Sequence, residues 1–247
     1  TGRKLVAIPG AHPFYSYDDW FIGTTACNKG VPNEISNLSV TFKSCNINSL
    51  KQLFERYPGQ IACVITEPEK SPCGNGCNCS QSPAVFLKEA IDLAHHEGAL
   101  FIIDEMVSGF KSAFPGSMTK YDLKPDMATW GKGIANGYPI SAITGNKVIM
   151  KEMEKVFFSG TFGGELLSLA AAKTVIQMHQ SLDVTSKLRF IGDEIASKLQ
   201  EIIIENEMTE YLEISGHPTW KFLNWKSTEN YATNVLKTYF IQEMLAE

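Results

Sequence analysis

Apolar residues occur along this chain in two patterns that predict two kinds of element. Short continuous apolar runs are typical of strands buried on both faces of a parallel sheet; they occupy residues 4–8, 61–66, 99–103, 127–130 and 140–144. Longer stretches with apolar residues three or four positions apart predict helices; they occupy residues 47–57, 84–96, 148–154, 166–180 and 182–204. The alternation of helices with buried strands predicts an α/β fold with helices on both faces of a mostly parallel sheet.

The pattern changes near residue 181, where one predicted helix ends and a long one begins. Beyond that point the order is helix, a strand pair within residues 213–223, and a last apolar-periodic stretch. We therefore predict a large domain over residues 1–181 and the beginning of a small α+β domain over residues 182–247.

Composition and charge argue against several classes of protein. The formal net charge of −5 over 247 residues disfavours a nucleic-acid surface, which usually needs a basic face. No apolar run is long enough to span a bilayer and no signal segment opens the chain, so we expect a soluble, cytoplasmic protein without a membrane partner. The six cysteines are too few and too unevenly spaced for a disulfide scaffold.

Both ends of the sequence look cut. The chain starts at Thr1 without a methionine, and it ends within an apolar-periodic stretch without a stop signal. We expect an internal piece of a longer protein.

Polar residues follow three of the predicted strands directly. Glu67 follows the second strand, Asp104 follows the third, and Lys132 follows the fourth between Gly131 and Gly133. Ligands bind at the carboxyl ends of parallel strands, so these side chains are candidate site residues.

Each candidate has an ordinary alternative. A carboxylate such as Asp104 at a strand end can be a helix cap or half of a structural ion pair, or it can pair with a protonated ring nitrogen or a metal. Lys132 can be an exposed turn lysine, or an amine partly desolvated near a ligand, which makes it a better nucleophile toward a carbonyl.

Taken together, several ordered segments resemble one family. They are Asp104-Glu105-Met106-Val107-Ser108-Gly109-Phe110, Pro125-Asp126, Gly131-Lys132-Gly133-Ile134-Ala135-Asn136-Gly137-Tyr138-Pro139, Phe157-Phe158-Ser159-Gly160-Thr161-Phe162-Gly163-Gly164-Glu165, and Asp19-Trp20-Phe21-Ile22-Gly23-Thr24 with Gly30-Val31-Pro32. In order and spacing they are similar to the class III, fold-type-I aminotransferases that depend on pyridoxal 5'-phosphate (PLP), and among these to the glutamate-1-semialdehyde 2,1-aminomutases.

The resemblance implies a role for each matching residue. Lys132 would form the Schiff base with PLP and shuttle the substrate's α-proton, while Asp104 would keep the pyridine nitrogen protonated. Met106 would pack on one face of the ring and Phe14 on the other. Gly160 and Thr161 would bind the cofactor phosphate of a neighbouring subunit, which implies a homodimer with shared active sites.

The resemblance also has departures. Relatives often show Tyr-His-Gly where this chain has Phe14-Tyr15-Ser16, and another register places Ala11-His12-Pro13 there. A family asparagine near the cofactor's phenolic oxygen corresponds to Asn75 or Asn78. The family's main phosphate-binding turn would lie before Thr1.

The resemblance leaves several functions open. The chain would act on a small amino, keto or semialdehyde substrate, either as an aminotransferase or as an aminomutase. The alternatives are a truncated or degenerate relative without activity, and a PLP enzyme of other chemistry such as a decarboxylase or racemase. A further alternative is a metal module built on Cys73, Cys77 and Cys79; four ligands in two pairs are the usual zinc pattern, so we predict no metal site.

Overall fold

A six-stranded, mostly parallel sheet forms the centre of the first part of the chain in the computed structural model, which describes residues 1–10, 19–68 and 82–246. The strand order is β2-β1-β3-β4-β5-β6. The strands are β1 (Leu5–Pro9), β2 (Ser39–Phe42), β3 (Ile61–Thr66), β4 (Leu100–Asp104), β5 (Met127–Trp130) and β6 (Ala142–Gly145). Within this sheet, β1 to β5 pair in parallel and β6 pairs antiparallel to β5. The predicted α/β class and mostly parallel sheet are confirmed.

The helices follow the predicted periodicity at the long stretches and add short ones. The α-helices of the described residues are α1 (Asp19–Ile22), α2 (Asn33–Ser36), α3 (Ile47–Arg56), α4 (Pro83–His96), α5 (Ser117–Lys120), α6 (Lys147–Met150), α7 (Leu166–Ser181), α8 (Val184–Glu205) and α9 (Thr233–Ala246). Short 3₁₀ helices cover Lys132–Ile134, Lys151–Lys155 and Met208–Glu210.

Side-chain caps and apolar faces fix α3 and α4, two of the helices that pack against the sheet. Asn46 caps α3 by accepting from the Ser49 backbone N–H, and Ser82 caps α4 by accepting from the Val85 N–H. Gly98, with φ +69°, follows the end of α4 in the left-handed conformation that favours glycine. The two helices bury one main core against the sheet, which contains Leu50, Leu53, Phe54, Phe86, Leu87, Ala90, Ile91, Ala94, Val64, Phe101 and Ile103.

The chain divides into two compact units. The first ends at Leu182 and contains the six-stranded sheet, and the second begins at Asp183. The second unit holds α8, α9 and an antiparallel hairpin of β7 (Leu212–His217) and β8 (Trp220–Trp225), so the predicted strand pair is present. Among the described residues, no helix is both long enough and apolar enough to cross a membrane.

Candidate active site

Two of the predicted site residues lie at one edge of the sheet. Asp104 is the last residue of β4, and the register of the parallel pair sets it opposite Thr129 of β5. Lys132 comes shortly after β5 ends at Trp130. Parallel strands end at the same edge, so the structure brings the candidate carboxylate and the candidate lysine to neighbouring strand ends.

Asp104 is a buried carboxylate with donors fixed on one oxygen. It is 4% exposed, and its Oδ1 accepts hydrogen bonds from the backbone N–H of Met106 and from the hydroxyl of Thr129, each at 2.9 Å. Such donors offset the cost of burying a polar group, and two of them on one oxygen restrict its rotation. The sheet edge therefore holds a carboxyl group in a defined orientation.

Lys132 has an unusual backbone conformation. Its φ of +46° lies in the left-handed region, which costs a residue with a Cβ about 1–2 kcal/mol. It opens the 3₁₀ turn Lys132–Ile134, in which the Ile134 N–H donates to the Gly131 carbonyl at 3.1 Å. A conformation of this kind persists where its surroundings hold it, and such positions cluster at functional sites.

The glycines beside Lys132 permit close approach of the preceding loop. A Cβ on Gly131 would collide with the end of the Met106 side chain, and a Cβ on Gly133 would lie 3.1 Å from the Gly109 carbonyl oxygen. The Met106 thioether is therefore packed against the lysine segment. The structure brings Met106, Asp104 and the Lys132 segment into one neighbourhood.

Lys111 is a site neighbour that the sequence pattern did not single out. A Cβ built on Gly133 would lie 4.0 Å from Lys111 Cε, so this side chain runs past the lysine segment. Burial lowers the pKa of Lys111, and the positive charge of Lys132 lowers it further. The site therefore combines one buried carboxyl group with two lysines.

Glu105 is a second carboxylate that the sequence motif contained but to which it assigned no role. It is fully buried; one carboxylate oxygen accepts from the Ser108 hydroxyl, and the other accepts from the Met118 N–H at 2.9 Å. A Cβ on Gly116 would lie 2.5 Å from its carboxyl carbon. Glu105 thus ties the loop after β4 to the start of α5.

The predicted phosphate ligands, Gly160 and Thr161, lie in an exposed turn. Gly160 and Thr161 belong to a turn in which the Gly163 N–H donates to the Gly160 carbonyl at 3.0 Å, and residues 156–164 are all exposed. Glu165 then caps α7, because its carboxylate accepts from the backbone N–H groups of Leu167 and Ser168. Hydrogen bonds from Ser168 lower the pKa of Glu165. The strand-end residues do not bury this turn.

Several sequence-based predictions fall outside the residues that the structure describes. They concern Phe14, Asn75, Asn78, Cys73, Cys77 and Cys79. Within residues 1–10, 19–68 and 82–246, no group of three or more histidine, cysteine or acidic side chains is arranged to hold a metal ion.

The strand-end residues suit a particular kind of ligand. A buried carboxylate can pair with a protonated ring nitrogen, an amine at the next strand end can react with a carbonyl, and a thioether can pack against a flat ring. The same set offers no cluster of hard oxygen ligands for a cation. The chemistry of the site therefore fits an aromatic heterocycle that carries a carbonyl group.

Comparison with known sequences gives one family over most of the chain. The profile of the family described as aminotransferase class-III matches residues 18–221. Two glutamate-1-semialdehyde 2,1-aminomutases are similar: that of Sulfurihydrogenibium sp. (strain YO3AOP1) is 28% identical over 83% of this chain and 47% of its own length. That of Clostridium botulinum (strain Alaska E43 / Type E3) is 29% identical over 84% of this chain and 51% of its own length. The chain thus spans about half the length of these relatives.

Solved structures share the fold. The PLP internal aldimine form of the Sphingopyxis sp. MTA144 FumI protein has a TM-score of 0.79 at 23% identity, over 92% of this chain and 53% of that one. An omega-transaminase from Sphaerobacter thermophilus has a TM-score of 0.76 at 18% identity, over 92% of this chain and 55% of that one. The family profile covers well over half of the residues, and the chain therefore belongs to the class-III aminotransferase family.

Proposed function

We propose that this chain carries the cofactor-binding part of a PLP-dependent aminotransferase or aminomutase, with Lys132 as the lysine that binds the cofactor covalently. One observation carries the proposal. In a chain of this family, a buried carboxylate held by two donors and a lysine in a left-handed conformation occupy neighbouring strand ends. The homologous aminomutases support the substrate class, a small amino, keto or semialdehyde compound.

We propose a role for each of these residues from its position. When bound, PLP acts as an electron sink that stabilises negative charge at the α-carbon of an amino substrate. The Asp104 carboxylate would accept a hydrogen bond from the ring N–H and keep that nitrogen protonated. The Nζ of Lys132 would take the proton from the α-carbon and return it at the end of the reaction. Met106, packed on Gly131, would cover one face of the ring.

A homodimer is part of the same proposal. Phe157, Phe158, Phe162 and Leu166 are between 77% and 93% exposed, around the turn that contains Gly160 and Thr161. A monomer rarely leaves such a dense apolar cluster open to water, and a second copy of the chain would cover it. Gly160 and Thr161 would then contribute to the phosphate site of the partner subunit.

The remaining parts of the proposal concern organisation and location. We assign the unit that ends at Leu182 to the large cofactor domain, and the unit that begins at Asp183 to the start of the small domain. Cys27 and Cys63 are thiols, as is usual in a reducing compartment. This supports a cytoplasmic location.

The visible absorption spectrum of the purified protein with added PLP tests the proposal. We expect a band of protein-bound cofactor that sodium borohydride fixes covalently, and we expect Lys132→Ala to lack it. Lys124→Ala, which removes an exposed lysine elsewhere in the same unit, should keep the band. If the wild-type protein shows no band, the competing hypothesis of a relative without catalytic activity is supported instead. If the band forms, screening of amino donors and acceptors then separates aminotransferase, aminomutase, decarboxylase and racemase.

A further inference from the structure

Thr129 is the residue that the strand register sets opposite Asp104. It lies in β5, where its neighbours Ala128 and Trp130 are 2% and 6% exposed and belong to the main core. Successive side chains of a strand point to opposite faces, so Thr129 turns away from that core. This explains why a polar residue occupies the middle of a short buried strand.

The Thr129 hydroxyl and the Met106 backbone N–H share one acceptor, Oδ1 of Asp104, at 2.9 Å each. An ionised carboxylate only accepts hydrogen bonds, so the hydroxyl must donate. Two donors on one oxygen restrict rotation of the carboxylate and stabilise its negative charge. Of the two, only the hydroxyl belongs to a side chain and can be removed by substitution.

We propose that Thr129 is a positioning residue: its hydroxyl holds the Asp104 carboxylate in the orientation and charge state in which it pairs with the cofactor's ring nitrogen. This inference rests on the proposed function, since it concerns the same cofactor. It adds to the site a residue that acts through Asp104.

A pair of substitutions isolates the hydroxyl. Thr129→Val keeps the branched shape of the side chain and removes the donor, whereas Thr129→Ser keeps the donor and removes only a methyl group. Two quantities are measured on each purified variant: the dissociation constant for PLP and the pH dependence of the visible band. Thermal unfolding without cofactor reports any loss of stability on its own.

We expect Thr129→Val to bind PLP about tenfold more weakly, the size expected for one hydrogen bond to a charged group. The pH dependence of its band should also shift, because the ring nitrogen loses a well-oriented anionic partner. Thr129→Ser should match the wild-type affinity within about twofold and keep the wild-type pH profile. A purely structural role would not produce a pH shift that appears in the valine variant and is absent from the serine variant. If Thr129→Val does not fold, Thr129→Ala supplies the second variant without a hydroxyl.

The outcomes separate this inference from the proposed function. If the wild-type protein forms the band and the valine and alanine variants keep its affinity and pH profile, Thr129 has no positioning role and the proposed function stands. A loss that serine does not restore would equally overturn the inference. If the wild-type protein forms no band, the proposed function fails and the inference fails with it.

Discussion

The loop between β4 and α5 and the turn before α7 belong to the same unit and both contain predicted site residues, but they are built in opposite ways. In residues 104–118, the polar side chains of Asp104, Glu105 and Ser108 are buried and hydrogen-bonded to one another or to the backbone. In residues 156–164, every residue is exposed, including three phenylalanines.

This difference separates a packed part of the candidate site from an open one. At the strand ends, the Asp104 carboxylate accepts hydrogen bonds from the Met106 N–H and the Thr129 hydroxyl. The exposed turn has no comparable internal support, and its apolar surface fits burial by another protein surface. Substitutions should therefore cost stability in the loop and cost only cofactor binding in the turn.

The largest expected effect is that of Glu105→Ala. The substitution opens a cavity and leaves the Ser108 hydroxyl and the Met118 N–H without their buried acceptor. We expect the free energy of unfolding to fall by about 3 kcal/mol or more, measured by urea denaturation. Glu152→Ala, which removes an exposed ion pair with Lys155, is the control and should change it by under about 1 kcal/mol. An equal loss of unfolding free energy in the two variants would contradict the view that buried hydrogen bonds stabilise the loop.

Two glycine substitutions sharpen the same contrast with identical chemistry. A Cβ on Gly109 would lie 2.7 Å from the Glu105 carbonyl oxygen and 3.0 Å from the Trp130 ring, whereas a Cβ on Gly160 would meet nothing within 4 Å. We expect Gly109→Ala to lower the free energy of unfolding by about 1–3 kcal/mol through overpacking. Gly160→Ala should leave it within about 0.5 kcal/mol of the wild-type value. A larger loss for Gly160→Ala would show that the turn is packed.

A smaller effect is expected from His179, which connects α7 to the loop. Its ring stacks on Phe114 with centroids 5.1 Å apart and meets the Phe110 ring edge-on at 5.6 Å. Burial lowers the pKa of His179 below its ordinary value of 6.5. As the pH falls below about 6.5, the unfolded chain gains a proton on this residue that the folded chain does not yet bind, so stability should decrease.

The His179→Phe variant isolates this pH effect, because phenylalanine can stack in the same place and does not titrate. Thermal unfolding at pH 8 and at pH 5.5 should show a greater loss of melting temperature for the wild-type protein than for the variant. An identical pH dependence in both proteins would exclude His179 as a source of it.

The smallest effect on stability is expected for Thr161→Val in the exposed turn. We expect the free energy of unfolding to change by less than about 0.5 kcal/mol, while PLP is bound more weakly if the turn contacts the cofactor phosphate. Urea denaturation and a PLP titration on the same variant measure both quantities. A large loss of stability together with unchanged PLP binding would show that the turn contributes to folding and not to cofactor binding.

Much of the sheet could be predicted from the sequence, because fully buried parallel strands are continuous apolar runs. Such runs predicted β3 and β5 directly. They also predicted the strand ends at which Asp104 and Lys132 lie. β2, Ser39–Phe42, escaped prediction because it is four residues long and includes an exposed threonine. The antiparallel direction of β6 could not be predicted either, since an apolar run carries no information about strand direction.

The candidate site was only partly predictable, for a related reason. Strand-end positions singled out Asp104 and Lys132, and the resemblance to the aminotransferase family added Met106. Thr129 and Lys111 gain their significance from the register between β4 and β5 and from the packing of a loop on Gly133. Such contacts join residues that are distant in sequence, so only the folded structure shows them.

The most direct test of the central claim is to identify the residue that carries the cofactor. The protein is incubated with PLP, reduced with sodium borohydride and digested, and the modified peptide is sequenced by mass spectrometry. The account predicts a single stoichiometric modification on Lys132, in the segment Trp130-Gly131-Lys132-Gly133. Stoichiometric modification of Lys111 or another lysine, with Lys132 unmodified, would contradict it.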